Sequence, residues 1–405
     1  MLMPNEGQTT QTQAKLPRIA IISSERYPHH DTNTQQIIKN ASAFHFAGLP
    51  VSLWIPLQYG SLSKGKAWLR QAIYKYYNVQ PGLDIRILSH VPASNLRLEK
   101  FFHSLLATLL AAFDSSVELI YTRNRFVALL ALLFRKPFVF ETYRRLGDEH
   151  PGAMRLLSRQ AKSRVFAGMV LHSQVAADSM LRAGIPEEKL LVLHNGVDNS
   201  DMLPRLSKSA ARQALALDPD MPYVVYTGNM QPNKCIESII DIAALSPQAR
   251  FLLVGGRPED LERLRAYSQS LRADNVDLVE RRPIAEVSNY LYAADVLMIP
   301  PVSAPLEKFG KTVLPFKLFP YLAAGRSIIA PDQPDMRELL VNGENGLLVP
   351  SDDAAGNSVI LGHLLENKAL QEQLSAKALE TSEGLTWESR ALKFKNWLAK
   401  RWARS

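Results

Sequence analysis

Short apolar runs rich in Val, Ile and Leu, four to seven residues long, recur along the chain between longer amphipathic or polar stretches. Runs without alternating polar positions are the pattern of strands in a parallel sheet buried on both faces, and the stretches between them read as the helices that cover it. The pattern predicts strands at Ile19–Ser23, Val51–Ile55, Ile85–Leu88, Leu119–Thr122, Phe138–Glu141, Met169–His172 and Leu191–His194. It then starts again, at Tyr223–Thr227, Phe251–Val254, Val276–Val279, Val296–Ile299, Ser327–Ala330 and Leu347–Val349. Between the two sets, Asp198–Pro222 carries Pro204, Pro219 and Pro222 and the start of a helix near Ser209, which marks the crossing from one sheet to the other. The expected class is α/β, with two Rossmann-like sheets.

A length of 405 residues fits that division, because a single ordinary core does not extend so far. With 46% hydrophobic and 21% charged residues the composition is globular, which excludes a disordered or fibrous chain. The apolar stretches Leu105–Phe113 and Phe126–Phe134 are nine residues each, about half of the roughly 20 that a membrane-spanning helix needs. The Gln- and Thr-rich start, Met1–Ala14, has neither the basic opening nor the apolar stretch of a secretion signal and reads as a disordered tail. One cysteine, Cys235, excludes an intrachain disulfide and a cysteine-rich metal site, and points to a reducing, cytoplasmic setting. Charge is uneven: residues 1–200 carry 23 basic and 14 acidic side chains, residues 201–405 carry 24 and 25. The positive field of the first half suits an anionic partner such as a membrane surface, a lipid phosphate or nucleic acid.

Ligands of open parallel sheets bind beyond the C-terminal ends of the strands, so two such sheets facing each other create a cleft to which both loop sets contribute. No GxGxxG follows the first strand, where "ERYPHHDTNTQQ" lacks glycine, and this argues against a bound dinucleotide. After Thr227, Gly228 permits close approach of backbone to ligand, and a helix starting near Lys234 would offer amide donors, a positive dipole end and a full charge to a diphosphate.

Six segments stand in a recognisable order: "VLHNGVD" (192–198), "YTGNMQPNK" (226–234), "FLLVGG" (251–256), "YLYAADVLMIPP" (290–301), "PFKLFPYLAAGRSIIA" (315–330) and "RELLVNGENGLLVPSDD" (337–353). With them the chain resembles, over about residues 18–390, the retaining glycosyltransferases of the GT-B fold that use nucleotide-sugar donors, specifically family four. The resemblance implies a metal-independent GT-B enzyme: 1–17 a tail, 18–200 an acceptor-side domain, 201–385 a donor-binding domain, and 386–405 a last helix returning to the first domain. No cofactor is implied; the partners are a UDP- or GDP-sugar and a glycan or lipid-linked acceptor, in polysaccharide or glycolipid synthesis. It gives the diphosphate to Gly228, Asn229 and Lys234, the base to Arg281, Arg282 and Pro283, and the donor side also to Gly310, Lys311, Thr312 and Lys317. Catalytic roles fall on Glu307, Tyr143 and Lys234.

Departures from the family pattern are equally visible. Asn229 stands where an arginine is usual and cannot replace its bidentate fork. The family's two glutamates, seven residues apart, fall on Thr312 and Pro320 when "KLFPYLAAG" is the anchor; another register matches "EKFG" to "EGFG" and returns a carboxylate at Glu307. Pro320 also removes an amide donor from an expected helix and would kink it. In the first half Tyr143 takes the histidine place of a Glu-x-His triplet beginning at Glu141, and with a reference pKa near 10 it is a poor base at neutral pH. Thr32, Asn33, Thr34 and Gln35 replace a glycine pair near the donor phosphate; Arg123, Arg144 and Arg145 read either as acceptor-phosphate ligands or as solvated charges. Ser173 reads as a helix cap, and His172 and His194 as structural. The basic aromatic segment Lys64–Tyr77 reads either as a membrane-surface helix or as an ordinary amphipathic one. Two functions stay open: a glycosyltransferase, or a non-catalytic GT-B protein that binds a glycan or a partner transferase.

Overall fold

The computed structural model describes residues 15–57, 64–89, 96–303 and 314–402. Glu307, Gly310, Lys311 and Thr312 lie outside the described residues, as does most of the N-terminal tail.

Two parallel sheets form, each ordered about a first strand with later strands added on both sides. The first contains β1 (Ile19–Ile22), β2 (Val51–Pro56), β3 (Asp84–Leu88), β4 (Leu119–Thr122), β5 (Phe138–Thr142), β6 (Phe166–Leu171) and β7 (Leu190–Val192), in the order β3-β2-β1-β4-β5-β6-β7. The second contains β8 (Tyr223–Thr227), β9 (Arg250–Gly256), β10 (Val276–Glu280), β11 (Val296–Met298), β12 (Ser327–Pro331) and β13 (Leu347–Val349), in the order β10-β9-β8-β11-β12-β13. All thirteen expected strands are present. The largest boundary shift is in β6, which starts three residues early because Gly168 and Phe166 pair with β5 beyond the apolar run that flagged it. Strands β1 and β8 are buried at every position, as the unbroken apolar runs require.

Strand order reverses between β1 and β4 in one sheet and between β8 and β11 in the other. Those are the two places where neighbouring connections leave in opposite directions and open a crevice.

Each face of the first sheet is covered differently. The helices Thr32–Phe46, Gly65–Tyr77 and Trp387–Trp402 share one core, with Phe44 stacked on Phe394 at 4.5 Å between ring centres. Ala107, Ala111, Val127, Ala131 and Met180, from helices Leu96–Phe113, Arg125–Leu133 and Gln174–Arg182, form the core on the opposite face. The chain passes between the sheets twice, side by side: Val197 N–H donates to Leu385 O (2.8 Å) and Trp387 N–H to Val197 O (3.2 Å). Lys39, 2% exposed, ties the first crossing to the helix that bears it, through Asp198 (2.5 Å), Asp201 (2.9 Å) and Asn78 O (3.1 Å).

Candidate active site

Both reversal points open onto one cleft of about 1550 Å³, lined from the first sheet by His29, His30, Tyr76, Arg123 and Tyr143 and from the second by Gly228, Lys234, Arg281 and Lys317.

Its floor on the second side is built by the loop after β8. Gly228 has φ 140°, a conformation glycine adopts without strain, and a Cβ there would lie 3.2 Å from Tyr226 Oη and 3.3 Å from Lys317 Nζ. Gly255, at the end of β9, has φ 122° and lets the Gly228 carbonyl pass where a side chain would meet it at 2.4 Å. Tyr226 Oη donates to Asn229 O (2.7 Å), and Tyr321 Oη accepts from Thr227 N–H (2.8 Å), so the loop is held by its own sheet and by the helix Leu318–Ala324. Beneath Gly228 lies the ammonium of Lys317, 3.6 Å from the centre of the Tyr226 ring. Burial, reinforced by repulsion from Lys234, pushes Lys317 well below the ordinary lysine range. Lys234 is lowered too, by burial, with Asp31 across the cleft pulling the other way. Among the described residues Lys317 has no carboxylate partner.

Lys234 ends a short turn, Pro232–Lys234, and the helix begins only at Glu237. The expected start near Lys234 is corrected by Cys235, whose φ of 50° breaks the helical run. Pro320 does not kink its helix either: it is the third residue of Leu318–Ala324, within the first turn, where an amide has no intrahelical acceptor to lose. Asn229 accepts a hydrogen bond from Arg281 Nη2 at 3.0 Å, so a guanidinium reaches the position from the loop after β10 although residue 229 is not an arginine. Arg282 and Pro283 lie on the same rim.

On the first side the base of the cleft is a buried polar cluster. Glu141, 3% exposed, accepts from Tyr121 Oη (2.7 Å), His172 Nε2 (2.6 Å) and Arg390 Nη2 (2.7 Å). Burial alone would raise its pKa, but Arg123, Arg390 and the His172 bond outweigh it and keep the carboxylate ionised far below its usual range. Burial depresses His172 to about 4, against the pull of Glu141, so at neutral pH it is an uncharged ring that donates from Nε2 and leaves Nδ1 to Asn195 Nδ2 (3.4 Å). Asn195 Oδ1 is buried with no hydrogen-bond partner among the described residues. Tyr143, 37% exposed, stands at the cleft wall 6.3 Å from the His172 ring, centre to centre.

Of the other predicted contacts, Thr32, Asn33 and Gln35 line the cleft, but Thr34 does not offer its hydroxyl: it donates to His29 O (2.9 Å) and Asp31 O (2.7 Å) within its own helix start. Arg123 donates to Gln36 (2.7 Å), Arg144 pairs with Glu149, and Arg145 donates to Asp148 (2.8 Å) away from the cleft lining. Ser173 caps its helix by accepting from Ala176 N–H (3.2 Å). His194 joins Glu338, whose carboxylate also accepts from Gln174 and Val175 N–H (2.8 and 3.0 Å), joining the two halves. In the segment Gly65–Tyr77, Leu69, Ile73, Tyr74 and Tyr77 are buried while Trp68 and Tyr76 are exposed, and Tyr76 faces the cleft. His29, His30 and Asp31 bring three potential metal ligands together within 4.8 Å. Arg390 and Asn195 went unflagged in the sequence; Asn195 sits inside the "HNG" triplet, whereas Arg390 lies in the last helix, far from every motif.

Two facing parallel sheets with a shared cleft, and a last helix packed on the first, define the GT-B class. Anabaena HepE, solved in complex with UDP, superposes with a TM-score of 0.73 at 17% identity, covering 95% of this chain and all of that one. Sucrose-phosphate synthase from Thermosynechococcus elongatus gives 0.70 at 20% identity, over 96% and 99%. At such identities the likeness establishes the fold. Residues 221–367 match the family model described as glycosyl transferases group 1, so the resemblance to group 1 glycosyltransferases holds for the segment that carries Gly228, Lys234 and Lys317. D-inositol 3-phosphate glycosyltransferase of Streptomyces bingchenggensis is 25% identical over 264 residues, which cover 60% of this chain. The matched part spans about half (55%) of that relative's length.

Proposed function

We propose that this protein moves a sugar from a nucleoside diphosphate donor to an acceptor hydroxyl, with retention at the anomeric carbon and without a divalent cation, as in family four. The observation that carries this reading is Lys317 beneath Gly228 at the end of a parallel sheet, with Lys234 near enough to repel it: burial and that repulsion lower the pKa of Lys317, and among the described residues it has no carboxylate partner. A pyrophosphate supplies the missing counter-charge, and as the sugar–phosphate bond breaks the same ammoniums stabilise the charge left on the leaving phosphate. Arg281 adds a guanidinium beside Asn229. Attack comes from the leaving-group face, with the donor phosphate taking the acceptor's proton. Tyr143, on the cleft wall, and Asn195 Oδ1, without a partner among the described residues, are our candidates for holding sugar or acceptor hydroxyls. Neighbours support the donor class: HepE was solved with UDP and UDP-glucose. A glycan or lipid-linked acceptor, handled at the cytoplasmic membrane face, fits the basic first half.

A second reading, a non-catalytic GT-B protein that binds a glycan or partner transferase, is favoured by Asn229, Pro320 and Tyr143, each of which departs from the family pattern.

Thermal-shift measurements with UDP, GDP and ADP separate the two, since a ligand of the folded state raises its apparent stability. The transferase reading expects a shift with one of them, lost in Lys317→Ala, and transfer or hydrolysis of a radiolabelled donor that persists in chelator and is lost in Lys234→Ala. No shift with any nucleotide favours the second reading.

A further inference from the structure

The helix Leu96–Phe113 is packed inside out. Its inward face consists of Glu99, His103, Ser104, Ala107, Thr108 and Ala111, all buried, while Leu98, Phe101, Phe102, Leu110 and Phe113 are exposed, Phe113 to 82%. A helix covering a sheet in water presents the opposite arrangement. The neighbouring helix Arg125–Leu133 extends the apolar surface: Phe101 stacks on Phe126 at 4.7 Å, and Leu129 and Leu133 are 59% and 70% exposed. Leu156, 59% exposed, continues it on the helix Pro151–Ser158, which Arg125 joins through His150 (3.3 Å). An exposed apolar area assembled from three helices is more than scattered surface leucines.

Around it positive charge predominates. Arg97 and Arg125 are exposed on the first two helices and Arg135 just past the end of the second, and residues 151–170 hold Arg155, Arg159, Lys162 and Arg164, all exposed, with no carboxylate. Glu99 is paired with Arg26 and Asp114 with Arg86, so the nearby acids do not offset the field.

We propose that these three helices form a docking surface for an anionic lipid bilayer, with the phenylalanines and leucines entering the interface and the cations meeting lipid phosphates. Eighteen residues of helix reach roughly 27 Å, and three charged residues lie among them; among the described residues no helix is long and apolar enough to cross a membrane, so this one lies in its plane. A second copy of the chain fits less well, because a twofold contact through this patch would bring the same cations against each other. The surface is on the face of the first sheet opposite the helix Gly65–Tyr77, and it differs from the basic aromatic segment that the sequence alone singles out. It stands independently of the transfer reaction.

The test is co-sedimentation of the full chain with vesicles of phosphatidylcholine alone and with about 30 mol% phosphatidylglycerol, at low and high salt. Expected is binding to the anionic vesicles that weakens with salt. Phe113→Glu/Leu129→Glu/Leu133→Glu should reduce it by about tenfold or more, and Arg155→Glu/Arg159→Glu/Lys162→Glu should remove its salt-sensitive part. Both variants should keep the wild-type circular dichroism and response to UDP, which separates a failure of this surface from a failure of the donor site or of folding. The proposal is overturned if the wild type ignores the vesicles, or if binding survives the first variant and is lost in Lys66→Glu/Trp68→Glu. It is equally overturned if sedimentation velocity shows a dimer that the first variant dissociates.

Discussion

Across the cleft two clusters of charge face each other, the first buried and the second partly open to the cleft, and they are built on opposite principles. On the first sheet Glu141 is closed in by Arg390, His172 and Tyr121, and Arg390 spends its remaining donors on Asn40 Oδ1 and on the carbonyls of Leu193 and His194. On the second, Lys317 and Lys234 repel each other, and Lys317 rests against the Tyr226 ring. In the first cluster the Glu141 carboxylate is fully compensated by protein donors, and it joins β5, β6 and the last helix. The second has no carboxylate to compensate Lys317 among the described residues. Buried charge is therefore not in itself a mark of a binding site; the informative feature is charge whose compensation is missing.

Removing a partner from each cluster should move stability in opposite directions. Arg390→Leu leaves Glu141 and three acceptors buried without their donor, and should cost about 3–5 kcal/mol in denaturant unfolding. An unchanged midpoint would show that water repairs the network. Lys317→Met keeps the length of the side chain and deletes an uncompensated charge, so the ligand-free protein should gain about 1–2 kcal/mol while its thermal shift with a nucleotide disappears. A destabilised Lys317→Met would mean that the ammonium has a protein partner after all and that the contrast between the clusters is false.

The same contrast has a pH signature. Burial and Lys234 hold the folded pKa of Lys317 below its unfolded value, so the unfolded chain binds more protons between the two. On account of this group, ligand-free stability should rise as pH climbs through the folded pKa toward the unfolded one, by at most about 1.4 kcal/mol per pH unit. Affinity for a nucleoside diphosphate should fall over the same interval, since the bound form needs the charge. Unfolding and titration calorimetry at pH values from well below the ordinary lysine range up to it, compared with Lys317→Met, check both slopes; parallel slopes for the two proteins would remove Lys317 from the anion site.

The strands were readable because a parallel sheet buried on both faces leaves unbroken apolar runs; Tyr223–Thr227 appears in the structure with the bounds its run suggested. Gly228 was readable because few other residues suit a close approach at the end of such a strand. Helix starts were less legible: the break before Glu237 is set by the left-handed Cys235, a non-glycine that gives no turn signal in sequence. Arg390 was invisible because it is 249 residues from Glu141, and nothing local in a run of basic residues distinguishes the one that turns inward. The apolar outer face of Leu96–Phe113 was hidden for a related reason, since periodicity shows that a helix has two faces but not which one meets the sheet.

The smallest effect concerns Arg281 and Asn229. If a guanidinium at this spot matters, and not the element that bears it, then Arg281→Ala should raise the KM for the donor about three- to tenfold with little change in kcat, the range of a charged hydrogen bond made at an exposed rim. Arg281→Ala/Asn229→Arg should return most of that loss by placing the fork on the loop after β8. Position is separated from net charge by Glu280→Gln/Arg281→Ala, which carries the same net charge as the wild type but no guanidinium at that spot and should not rescue. Failure of the double variant would mean that Asn229 is needed as the acceptor that orients Arg281, and that the two clusters differ less than their charges suggest, each relying on a fixed acceptor to aim its arginine.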